Sequence, residues 1–241
     1  MFESLTLSRG LFAVVAFGAF ALAGTSAHAN LLLNGGFETG TAPPNGQFST
    51  PLSGDSTTIS NWIVGGPAGA SVDYISGYWQ PNSGSRSIDL SGSTDGAGGF
   101  KWGSLSQTFA TTLGQQYKVS FWLSGNPDGP PPTKAIDVSV GSTLFQTTFA
   151  LAAHPTTRAD MGWVLTTFLF VANAASQTIT FSANAVANNT FYGPAIDDVD
   201  ISAVPLPPAL LLFGSGLLGM NWLRRRRTGQ NLASAIMAER S

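Results

Sequence analysis

The chain has 241 residues, no cysteine, two histidines and only 10% charged residues. Thiol catalysis, disulfide staples and thiolate metal sites are excluded, and 28 glycines with 14 prolines argue for many turns rather than long solvated helices. Six of the eleven basic residues lie in the two ends, so the middle, 30–203, keeps five basic against eleven acidic residues and a charge of −6. That sign excludes nucleic acid and an anionic membrane surface as its partner.

The first element is an apolar run over 11–23 behind Arg9. As a helix it would rise about 20 Å, short of a hydrocarbon core of about 30 Å. Ala27 and Ala29 place small residues where a signal peptidase cuts. Residues 1–29 therefore read as a cleaved signal peptide, with Asn30 first in the mature chain.

Beyond it the pattern is short runs of period 2 separated by Gly, Asn, Pro and Ser. Strands are predicted at 59–64, 71–76, 87–91 and 105–110. Next, Tyr117, Val119, Phe121 and Leu123 share one strand face, with Lys118, Ser120 and Ser124 opposite and Trp122 breaking the polarity. Ile136, Val138 and Val140 repeat the alternation, followed by strands at 143–149 and 163–171, another through Ile179 and Phe181, and a last one at 196–202. The run 163–171 is apolar on both faces apart from two threonines, as expected of a strand between two layers. Prolines make 39–57 and 126–133 the long loops. About ten strands without helices, and no repeat of about 20–50 residues, predict one all-β domain, a two-sheet sandwich of jelly-roll type.

After it, 206–223 is an apolar segment of about 27 Å if helical, followed by Arg224, Arg225, Arg226 and Arg227. This reads as one C-terminal transmembrane helix with its arginines and the tail 228–241 on the cytoplasmic side.

Candidate chemistry is sparse. Asp197 in the last strand is turned inward by period 2 if Val199 and Ile201 face the core, and a buried carboxylate needs backbone donors, a cation or a strand irregularity. Tyr74, Tyr78, Trp79 and Trp102 lie in Gly-rich stretches and are the candidates for stacking on sugar rings, or for plugging the open ends of the sandwich. Trp62 and Trp163 read as core. Carboxylate pairs for glycoside hydrolysis could be drawn from Asp73, Asp89 or Asp160, but eleven acidic residues make such pairs easy to assemble, and catalysis is not expected.

Two resemblances add to this. Val204, Pro205 and Pro207, the apolar stretch 210–218 and Arg224 to Arg227 resemble the PEP-CTERM sorting signal of Gram-negative bacteria. That implies an exosortase-type protease as partner, transient anchoring in the inner membrane with the domain in the periplasm, and release to the cell surface. Leu206 stands where that signal usually has glutamate, and 228–241 extends past its usual end.

The strings NLLLNGGFETG, SNWIVGG, SVDYISGYW, RSIDLSG, LSQTFATTLGQQYKVSFWLSGNPDG, MGWVLTTFLFVA and GPAIDDVDIS resemble the choice-of-anchor C domain. More distantly they are similar to the plant cell-wall domain of unknown function 642. The resemblance implies a galactose-binding-like jelly roll carried on varied surface anchors, and a structural calcium between first and last strands, with Glu38 and Asp197 as ligands; the alternative for Asp197 is a turn cap. The expected function is an exported, non-catalytic carbohydrate-binding or exopolysaccharide-matrix protein. The second reading is a structural or adhesive surface protein that binds protein partners.

Overall fold

The computed structural model describes residues 29–41, 43–93, 102–184 and 190–205. Residues 1–28 of the expected signal peptide, Pro207, the apolar segment and the arginine cluster lie outside them, and among the described residues no helix is long and apolar enough to cross a membrane.

Eleven strands are formed: β1 (Gln47–Ser49), β2 (Ile63–Gly65), β3 (Asp73–Ser76), β4 (Arg86–Asp89), β5 (Ser104–Ala110), β6 (Gln116–Gly125), β7 (Thr133–Val140), β8 (Thr143–Ala150), β9 (Val164–Val171), β10 (Ser176–Ala183) and β11 (Pro194–Ala203). They pair antiparallel into a six-stranded sheet, β1-β3-β4-β11-β6-β9, and a five-stranded sheet, β2-β5-β10-β7-β8. Period 2 decides the packing. Tyr117, Val119, Phe121 and Leu123 of β6 meet Ile179 and Phe181 of β10 and Ile136 and Val138 of β7 in one core between the sheets. Phe121 and Phe181 touch edge to face with centroids 5.2 Å apart. Gly141, at φ 57°, lets β7 and β8 turn in two residues.

The all-β expectation matches two antiparallel sheets and no helix among the described residues. Three local expectations are corrected. The stretch 39–57 is not all loop, because Gln47–Ser49 pairs with β3 at the sheet edge, where proline on either side costs no ladder bond. Of 59–64 only the end is strand; Ile59 and Trp62 reach the core from a turn. Finally, β9 is not between two layers but at the edge of its sheet. Its outward residues Leu165, Leu169 and Val171 are 53%, 52% and 55% exposed.

Part of the outer face of the six-stranded sheet, over β1, β3, β4 and β11, is itself covered. Ile75, Trp79, Met161 and Ala195 form a second, smaller cluster, with Phe48, Tyr78 and Trp163 packed against it. Trp163 is thus half-buried outside the sandwich, its indole N–H donating to the Gln80 carbonyl at 3.0 Å.

The chain enters and leaves the sandwich together. Leu31 N–H donates to Ile201 O, and the Asn30 side chain donates to Val199 O at 2.8 Å while accepting from Ile201 N–H at 3.0 Å. At the same end Val204 N–H donates to Gln116 O.

Candidate functional site

Asp73 and Asp89 face each other across β3 and β4, on the outer face of the six-stranded sheet. Period 2 forces this, since Tyr74 and Ile88 of the same strands, and Leu90 just after β4, fill the main core. Both carboxyls are buried. Asp73 accepts from Thr50 Oγ1 at 2.6 Å, Ser93 N–H at 2.9 Å and Ser93 Oγ at 2.5 Å. Asp89 accepts from Ser91 N–H at 2.9 Å and Asn126 Nδ2 at 2.7 Å. Burial pushes both above the usual carboxylate range, Asp89 far above it, with the Asp73 charge adding to the shift at Asp89.

Beside this pair lies a cleft of about 140 Å³. Its floor is Asp73, Ile75 and Trp79, with Phe48 and Tyr78 on one side. Ser93, Asn126, Asp128, Phe191 and Tyr192 close the other side, brought from three loops at one end of the sheet. The Tyr78 ring is held from three directions. Its hydroxyl donates to Asp128 Oδ2 at 2.9 Å, Phe48 meets its edge at 5.1 Å, and the Arg158 guanidinium carbon lies 4.1 Å from its centre. Arg158 in turn binds both Asp128 oxygens, at 2.8 and 3.0 Å. Burial, with the hydrogen bond to Asp128 second, raises the Tyr78 hydroxyl above its ordinary value.

Lys134 supports the loops from below. Its side chain is fully buried, and its Nζ donates to Gly129 O at 2.7 Å and Tyr192 O at 2.8 Å. Burial lowers it from 10.5 to about 8, against the opposing charge of Asp89.

The expected stacking residues separate. Tyr78 lines the cleft half-buried. Trp79 also lines it but is only 2% exposed, its indole N–H donating to Ser87 Oγ at 2.8 Å, so it is floor rather than platform. Tyr74 is a core residue, not a loop ring: its hydroxyl donates to Phe37 O at 2.5 Å and accepts from Arg86 at 2.8 Å. Trp102 packs on the main core, away from the cleft. Phe48, Asn126, Asp128 and Tyr192 were not singled out by sequence. The one signal for them was the Asn-Pro-Asp-Gly string at 126–129, where Asn126 Oδ1 accepts from Asp128 N–H at 2.9 Å in an Asx turn.

Glu38 and Asp197 are not in the cleft; they clamp the loop 82–86. Glu38 accepts from Ser85 N–H, Ser85 Oγ and Arg86 N–H at 2.8–2.9 Å. Asp197 accepts from Asn82 N–H at 2.8 Å, Ser83 N–H at 3.3 Å and Asp198 N–H at 2.7 Å. Asp197 is buried, but not inside the sandwich. The register slips between Asp197 and Asp200, with Asp198 at φ 45°, so Ile196 and Val199 both face the main core and Asp197 is turned to the outer face. Burial and the neighbouring Asp198 charge push it up to about 8. Among the described residues no three acidic or histidine side chains gather as a metal site.

The family model described as "Protein of unknown function (DUF642)" matches residues 30–202. Halomucin of Haloquadratum walsbyi (strain DSM 16790 / HBSQ001) is 30% identical over 175 residues, 71% of this chain; the chain spans 2% of that protein's length. Among solved structures, TmCBM61 in complex with β-1,4-galactotriose is 19% identical with a TM-score of 0.41, covering 73% of this chain and 99% of that one. The CBM22-1 xylan-binding domain of Xyn10C from Paenibacillus barcinonensis is 12% identical with a TM-score of 0.41, covering 69% and 100%.

Proposed function

The chain belongs to the DUF642 family, and we propose that its sandwich is a carbohydrate-binding module that grips sugar in the cleft beside Tyr78. The observation that carries this reading is the pairing of a fixed aromatic ring with clustered oxygen acceptors. Tyr78 offers a face to the apolar C–H side of a sugar, while Asp73, Asn126 and Asp128 line the same small cavity and accept from its hydroxyls. The role is binding without turnover, and the carboxyls act as hydrogen-bond acceptors.

The ends make this an exported protein. Signal peptidase removes 1–29, and the tail from Val204 to Arg227 holds the domain at the inner membrane until an exosortase-type protease passes it to the surface or the surrounding polysaccharide matrix. Calcium would take the hard oxygens of the exposed Glu38 and of the buried Asp197, whose charge a divalent cation would relieve.

The test is a glycan array and pull-down on exopolysaccharide with the full chain and with Tyr78→Ala. A loss of at least tenfold in affinity, in a variant whose circular dichroism remains that of the folded chain, is expected. Retained binding by Tyr78→Ala moves the site elsewhere, and no binding to any glycan rejects the reading.

A further inference from the structure

We propose that the cleft accepts a single sugar ring without an anionic group and turns away uronic acids and sulfated sugars. This rests on the carbohydrate reading above and adds the class of sugar. Size comes first. At about 140 Å³ the cavity is well below the roughly 300 Å³ at which drug-sized pockets begin, which is room for one ring rather than a run of them.

Charge decides the class. Two carboxyls line the cleft, Asp73 on its floor and Asp128 on its wall. A sugar carboxylate would need a cation to replace its lost water. Among the described residues no lysine, arginine or histidine lines the cleft, and the cations behind it already hold partners. Arg158 spends Nε and Nη2 on Asp128 and lays its plane over Tyr78. Lys134 directs its Nζ to the Gly129 and Tyr192 carbonyls beneath the loops. An anionic ring therefore meets two carboxyl groups and, among the described lining residues, no basic side chain, whereas a neutral ring donates its hydroxyls to these same acceptors.

The experiment uses matched sets of hexose, hexosamine and hexuronate in the gluco, galacto and manno configurations. Each is titrated against the full-length chain by ligand-observed NMR at low and at moderate salt. At least one hexose should bind, its hexosamine no more weakly, and its hexuronate at least tenfold more weakly, with the gap narrowing as salt rises. A hexuronate that binds as tightly as its hexose overturns the charge inference and leaves the carbohydrate reading standing. Failure of every sugar in the sets, while longer glycans still bind, overturns the single-ring part alone. Asp128→Asn supplies a second arm: it unpairs Arg158 and removes one lining charge, so the hexose-to-hexuronate gap should shrink at least fivefold in a variant whose circular dichroism is unchanged. An unchanged gap in that folded variant also overturns the inference.

Discussion

The Nζ of Lys134, on a strand of the five-stranded sheet, donates at 2.8 Å to the carbonyl of Tyr192, a residue of the cleft wall in a loop leading to the other sheet. A fully buried cation thus couples the two layers to the loops around the site. The arrangement is costly by itself, because an ammonium loses its water, and it persists because two carbonyls and the neighbouring Asp89 replace that water.

Replacing this lysine should therefore cost stability and loosen the cleft together. Lys134→Met leaves two carbonyls without a donor and Asp89 without its compensating charge, for a loss of roughly 3 kcal/mol in denaturant unfolding. The pH dependence adds a signature. Lys134 titrates near 8 in the folded chain against 10.5 when unfolded, so the unfolded chain binds more protons between those values. Its contribution makes stability rise with pH from about 8 to 10.5. Unfolding curves across that window should show the rise in the parent chain relative to Lys134→Met; parallel curves would contradict it.

Gly35 is expected to be irreplaceable for a backbone reason. A Cβ there would stand 2.1 Å from the Val199 carbonyl oxygen, at the point where Val199 N–H donates to Gly35 O. Neither backbone can yield without breaking that bond to the bulge. Gly35→Ala should lower stability by roughly 2 kcal/mol, read as a shift in the denaturation midpoint with an unchanged m-value.

Calcium should act on the loop 82–86 rather than on the cleft. Millimolar calcium is expected to raise the melting temperature over that in chelator, and Glu38→Ala to abolish the rise while destabilising the chelated chain through three lost hydrogen bonds. Equal melting in calcium and chelator would remove the metal and leave both carboxylates as loop clamps.

What the sequence disclosed was whatever period 2 controls. Tyr117, Val119, Phe121 and Leu123 were legible as a core face, and Trp122 as a misfit on the polar face opposite, because their strand has a full length of neighbours on both sides. The same rule, applied to Asp73-Tyr74-Ile75, already separates Tyr74 from Asp73; the Gly-rich texture downstream obscured it. The burial of Trp79 was not legible, since it depends on Met161 and Trp163, some eighty residues away, folding over the outer sheet face. The bulge at Asp198 hid the true direction of Asp197, as alternation assumes an unbroken ladder. The cleft was hidden most deeply: Tyr78, Asp128 and Tyr192 become neighbours only through strand order.

The position of the two chain ends sets how the domain faces its surroundings. Asn30 and Ala203 lie at the heel of β11, whereas Pro194, nine residues up that strand, stands next to Ala195, the partner of Asp89, by the cleft. The strand separates heel from mouth by about 30 Å. Any tether, on either side of the domain, holds it by the heel, so the cleft sits toward the end of the strand away from that tether.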